Sequence, residues 1–200
     1  MKILVFSDIH GDLVALNKLL DIEADYYFAA GDMVSWARGF ELVGPVLERR
    51  GERACVLPGN HESEGDTRRL CEKHGLRHFH GQSMELDGVH VAGLGYSNPT
   101  PFNTPGEYSE AQMAERLAPF TSLNPLVLVC HCPPFQTALD EAGPNRHFGS
   151  RSVRDFIEKQ QPKWFFCGHI HEAAGRETRL GLTRAVNVGK KGYLLDFANL

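Results

Sequence analysis

Five short polar motifs, each closing an apolar run, carry the residues of this chain that can do chemistry: Asp8-Ile9-His10, Gly31-Asp32, Gly59-Asn60-His61-Glu62, His131 and Gly168-His169-Ile170-His171. Mixed carboxylate, imidazole and amide donors suit borderline divalent metals such as manganese, iron, zinc or nickel, whereas calcium prefers oxygen alone. Residues two apart on a strand point to the same face, so Asp8 and His10 can ligate one ion together, as can His169 and His171. A single histidine after a strand is usually an ordinary polar residue. Two such pairs, a Gly-Asp, a Gly-Asn-His-Glu and a further histidine, each on a separate strand end, are hard to explain by packing and read together as a two-metal site.

The elements that must position them follow from the apolar runs. Leu4 to Phe6, Tyr27 to Ala30, Ala54 to Leu57, Leu126 to Cys130 and Trp164 to Cys167 are of strand length, and a polar motif follows each. Buried strands with helical patterns between them imply an α/β sheet, in which ligands bind beyond the carboxyl ends of the strands. Asp12 is an N-cap for a helix with Leu13, Leu16, Leu19 and Leu20 at helical spacing. A second helix runs from Phe40 to Arg50 with Gly51 as its stop and Pro45 disturbing its first turns, and a third starts after the Asn60 motif and ends at Gly75. Asp87-Gly88 reads as a tight hairpin turn between antiparallel strands of a second sheet. Short strands near Thr178 to Leu180, Arg184 to Val188 and Tyr193 to Phe197 repeat that style. The expected fold is therefore two sheets face to face with helices outside. Tyr96 to Gly106 and Pro133 to Ser150 read as long loops beside motif-bearing strand ends, a length that is uncommon unless the loop binds something or stays disordered.

The 200 residues are expected to form one domain, residues 1–200. A net charge of −4 gives no general electrostatic grip on nucleic acid or anionic membrane. No apolar run spans a bilayer, and a cleaved leader would remove the strand that delivers Asp8 and His10, so neither a membrane partner nor export is expected. Five cysteines, three of them in strand-like runs, fit free thiols and a reducing, cytoplasmic location. Cys130 and Cys132 flank His131 but lack the second half of a zinc motif. Homo-oligomers are common enough that a monomer is not assumed.

The motif series from Asp8 to His171 resembles the calcineurin-like metallophosphoesterase superfamily, in particular its small prokaryotic-type phosphoesterases. That resemblance implies two mixed β-sheets packed as a sandwich flanked by helices, an α/β fold, and two divalent ions, manganese first. It implies that Asp8, His10, Asp32 and His171 hold one ion, that Asp32, Asn60, His131 and His169 hold the other, and that Asp32 bridges. Two ions roughly 3.5 to 4 Å apart activate a shared water and clamp phosphate oxygens, so the implied nucleophile is a bridging hydroxide attacking in line. Only Asp8 and Asp32 bring negative charge, which leaves the site electropositive and suited to a phosphate ester. His61 matches the residue that protonates the leaving oxygen or steadies the transition state. Glu62 is read as structural, its charge favouring the dipole of the following helix.

The chain departs from the Gly-Asp-x-x-Asp-Arg-Gly run of many phosphatases, having Ser35 for the second Asp and Trp36 for the Arg. The first change leaves open what orients His61; the second removes a phosphate clamp. Both point away from phosphoprotein phosphatases and toward a small phosphodiester such as a cyclic nucleotide, with a phosphomonoester as the alternative. A nuclease is disfavoured by the charge balance, and a non-catalytic scaffold would predict missing ligands where none is missing. Arg146 and His147, with Arg151, Arg154 and the start of the next helix, are candidates to bind the non-hydrolysed side of a small-molecule substrate. Phe102, Tyr108 and Trp36 are candidates to stack an aromatic group.

Overall fold

The computed structural model describes residues 1–200. A first sheet has the order β11-β1-β2-β3-β4, built from Tyr193–Asp196, Lys2–Phe6, Tyr26–Ala30, Ala54–Leu57 and Arg77–His78. A second has the order β5-β6-β7-β8-β10-β9, built from Gln82–Leu86, Val89–Leu94, Leu126–Cys130, Trp164–Cys167, Thr183–Asn187 and Glu177–Leu180. Each sheet is parallel at its centre and bears antiparallel strands at edges, β11 on the first and β5 and β9 on the second.

The strands read as unbroken apolar runs because both of their faces are covered. Ile3, Val5, Phe28 and Leu57 of the first sheet meet Val127, Val129, Trp164 and Phe166 of the second in a buried layer between the sheets. On the outer face of the first sheet, Leu4, Phe6 and Val56 pack under α1 (Leu13–Asp21), α2 (Phe40–Leu47) and α3 (Glu64–His74). On the outer face of the second, Leu128, Cys130 and Phe165 pack under α4 (Glu110–Leu117) and α5 (Arg151–Gln160). No helix is long and apolar enough to cross a membrane.

The end signals operate locally. The Asp12 side chain caps α1 by accepting from Ala15 N–H, and Gly75 closes α3 in the left-handed conformation. Asp87 and Gly88, at φ 48° and 75°, form the expected hairpin turn. Two expectations need correction. The second helix ends as an α-helix at Leu47 and continues only as tight turns broken at Gly51, where φ is 52°. The last strand crosses back to pair antiparallel with β1, Leu4 opposite Leu194, because this buries Leu195 beside Ile3 and Val5 between the sheets.

Candidate metal centre

The parallel strands β1, β2 and β3 end at one edge, and β7 and β8 of the other sheet end against it. Just beyond those ends the chain reverses sharply. Asp8, His10, Asp32 and His169 all have left-handed φ, at 57°, 49°, 54° and 70°. Such backbone is rare outside glycine and is held here by paired loops: Asp8 N–H donates to Gly31 O and His10 N–H to Asp32 O, each at 3.0 Å. The motif glycines are needed for closeness. A Cβ on Gly168 would collide with Ser7 Oγ and Asp8 Oδ2, and one on Gly59 with the Asp32 carboxylate.

Three groups of donor atoms, each within 4.8 Å, result: Asp8 with His10 and His171, His10 with Asp32 and His61, and Asp32 with His131 and His169. Asp32 Oδ2 lies 3.7 Å from His10 Nε2 on one side and 3.5 Å from His131 Nε2 on the other. Asn60 Oδ1 stands 3.1 Å from His131 Nε2 and 2.8 Å from His169 Nδ1. With bonds of about 2.1 Å, donors around one ion stand about 3.0 to 3.4 Å apart. The residues thus fit two adjoining divalent cations with Asp32 between them. Asp8, Asp32, Asn60 and His131 form a buried floor, while the His171 side chain is 58% exposed at the rim.

The pairing inferred from strand alternation needs correction. Asp8 and His10 lie past the end of β1 and converge through reversed backbone, and His169 and His171 fall into different groups.

Outer contacts set the imidazoles. The carbonyl of Ala30 accepts from His131 Nδ1–H at 2.8 Å, leaving Nε2 as the inward lone pair. Ser35 Oγ meets His10 Nδ1 at 2.9 Å, so the residue replacing the usual Asp serves His10 and not His61. His61 is instead fixed by its own backbone N–H to Asp32 Oδ1, 3.0 Å, and by Trp36 N–H donating to its Nδ1, 3.4 Å. The Trp36 ring stands edge-on to His61 at 5.4 Å. Asn60 is oriented by a relay absent from any motif: Glu107 accepts the Thr104 hydroxyl hydrogen at 2.6 Å, and Thr104 Oγ1 accepts from Asn60 Nδ2 at 3.2 Å.

Glu62 does not open α3, whose cap is Ser63; it turns inward and accepts backbone N–H bonds from Asp32, Val34 and Gly59. Burial, then the nearby Asp32 charge, pushes its carboxyl up to about 7. Burial alone would raise Asp32 also, but the facing His131 holds it below the usual carboxylate range. Burial would depress His131, yet the Asp32 charge outweighs it and raises the imidazole to about 9. Burial and then His131 take His169 down to about 4.

The remaining candidates separate. Arg146 and Phe102 line a cleft that also exposes Asp32, Asn60, His61, His169 and His171. His147 is not on that wall: its Nδ1 is bonded to the buried Asp140 carboxylate at 2.8 Å. The start of α5 is not open to an anion, because Glu110 already accepts from the Arg151 and Ser152 amides. Arg151 lies over the Phe135 ring, Arg154 binds Phe135 O and Glu158, and Tyr108 is buried against His80 and Tyr96.

Comparison with known proteins adds the following. The profile of the calcineurin-like phosphoesterases matches residues 1–173. An uncharacterized protein of Methanocaldococcus jannaschii, MJ1162, is 32% identical over 98% of this chain and 91% of its own length. Two crystal structures share the fold: TT1561 of Thermus thermophilus, with TM-score 0.72, 20% identity and coverage of 94% of this chain and 88% of that one, and the phosphopantetheinyl hydrolase PptH of Mycobacterium tuberculosis, with TM-score 0.67, 18% identity and the same coverage.

Proposed function

The chain belongs to the calcineurin-like phosphoesterase family, and on that premise we propose that it hydrolyses a small phosphodiester with two divalent cations, manganese first, residues 1–200 acting as one catalytic unit. The observation that carries this reading is the sharing of Asp32 between adjoining donor groups that include every motif residue expected to hold a metal.

Bound there, a pair of divalent ions supplies an activated water and positive charge for the phosphate oxygens. Asp8 and Asp32 bring the balancing negative charge from the buried floor, and four imidazoles and the Asn60 amide complete the donor set without adding charge. His61 offers a hydrogen-bond donor to the leaving group. Its Nδ1 accepts from Trp36 N–H, so the neutral ring carries its hydrogen on Nε2, and the ring lines the cleft. That Nε2–H hydrogen-bonds the leaving oxygen as negative charge builds on it, and the departing oxygen takes its proton from solvent.

The diester preference is supported by the charge on the cleft wall. Trp36 stands where many relatives have Arg, and Arg146 is the one Lys or Arg on that wall. A diester carries a single negative charge and needs less cationic help than a monoester dianion. Arg146 also keeps a phosphomonoesterase as the second reading.

Hydrolysis of bis-p-nitrophenyl phosphate by metal-stripped protein, with manganese added back and Asp32→Asn alongside, tests the proposal. Turnover that needs metal and is lost in the variant is expected. No turnover of the diester under these conditions would overturn it, and faster hydrolysis of p-nitrophenyl phosphate would move the preference to monoesters.

A further inference from the structure

The cleft beside the metal centre measures about 380 Å³, large enough for a small organic ligand and open on one side. Its second wall has a different character from the first. The loop after β6 contributes Pro99, Pro101 and Phe102, and the loop after β7 contributes Phe148. Phe102 is 72% exposed and Phe148 40%. Single exposed apolar side chains are ordinary on a protein surface. Here two rings from separate loops line the cleft that holds the reaction centre.

Neither loop depends on a ligand for its shape. Glu107 ties the first by accepting from the hydroxyls of Thr100 and Thr104 and from Thr104 N–H. Asp140, fully buried, ties the second by accepting from Gln136, Thr137 and Gly149 N–H. The rings are therefore presented on braced backbone. Beside them the Arg146 guanidinium carbon lies 5.6 Å from the centre of the Phe148 ring, a cation over an aromatic face. Glu172, from the loop after β8, adds a carboxylate to the lining of the same cleft.

From this juxtaposition we infer that the Phe102–Phe148 wall is a subsite for a flat heteroaromatic group, so that the substrate is a nucleoside phosphate ester. The inference rests on the phosphoesterase reading for its phosphate end and on these two loops for the rest. An acyl chain would need a continuous apolar trough, and this cleft is lined also by the charged Arg146 and Glu172. A bare sugar phosphate would leave both rings in water. A base offers π faces to the phenyl rings and polar edges to the Glu172 carboxylate and the Arg146 guanidinium. The net charge of −4 argues for a mononucleotide-sized ligand over a polynucleotide.

The test is equilibrium binding, to manganese-loaded protein, of non-hydrolysable phosphonate analogues of thymidine and adenosine monophosphate against the same phosphonate lacking a base. A preference of about tenfold for at least one base is expected, from the usual strength of base–aromatic stacking. The double variant Phe102→Leu, Phe148→Leu should erase it, while Phe102→Tyr retains it. Equal affinity with and without base, no binding of either, or a preference that survives the double variant would overturn the subsite. Hydrolysis of bis-p-nitrophenyl phosphate by the same samples reports on the underlying reading separately: base preference without turnover would count against the phosphoesterase reading alone, and turnover without base preference against the subsite alone.

Discussion

Asn60 shows how much of a candidate metal ligand's behaviour lies outside its motif. A side-chain amide has a carbonyl end and an N–H end, and only the carbonyl can ligate. Here the choice is made by Thr104, which must accept from Asn60 because its own hydrogen is committed to Glu107. Outer contacts of this kind typically change metal affinity by about 10- to 100-fold. Thr104→Val should therefore weaken manganese binding by about tenfold in a calorimetric titration, and Thr104→Ser should restore it. Unaltered affinity in the valine variant would show that Asn60 holds its orientation without the relay. Motif reading identified Asn60 but had no means of finding Thr104 or Glu107, which lie more than forty residues downstream in a segment that reads only as loop. Ser35 was visible as a departure, yet its partner, His10, depends on the turn that places the two together.

Elements explain which sequence signals carried. Strands buried on both faces had to be apolar throughout, so their runs were plain, and α1, α3 and the Asp87-Gly88 turn declared their ends through caps and left-handed residues. Loops were legible only as loops, since the acids that brace them, the buried Asp140 and the half-buried Glu107, look like surface residues in a sequence. His80 is a similar case just after β4. Gly95 N–H donates to its Nδ1 at 2.9 Å, and its Nε2 pairs with Tyr108 Oη at 2.9 Å, so the ring is held neutral. Burial takes its pKa down to about 4. Below its ordinary value of about 6.5 the unfolded chain takes up a proton that the folded chain refuses, so stability is full above that pH and falls as pH drops toward 4. The loss should reach about 3 kcal/mol at most. Urea unfolding at a series of pH values should show this slope in the native protein and a shallower one in His80→Gln; equal slopes would assign the pH dependence to other groups.

Across the whole molecule, the centre is a joint between the sheets. Asp8, His10, Asp32 and Asn60 follow strands of the first, while His131, His169 and His171 follow strands of the second. Ions held by both groups would bind the folded state and not the unfolded one. Each site filled at about a hundredfold excess over its dissociation constant adds about 3 kcal/mol. Manganese should therefore raise the melting temperature, chelator should reverse the rise, and Asp32→Asn should reduce it. A melting temperature indifferent to metal would show that the donor groups do not couple the sheets.

What the amino-acid sequence determined by itself was the class of fold and a set of candidate donors, because burial forces apolar runs and metal chemistry restricts residue types, and both leave marks on nearby residues. The tertiary structure decided how those donors are shared. His169 and His171, two residues apart, part to different groups; Ser35 turns to His10; His147 is drawn to Asp140, and Arg146 and two phenylalanines reach the cleft. These outcomes depend variously on reversed backbone at strand ends, on how the loops fold and on contacts between segments distant in the chain, which no local spacing encodes.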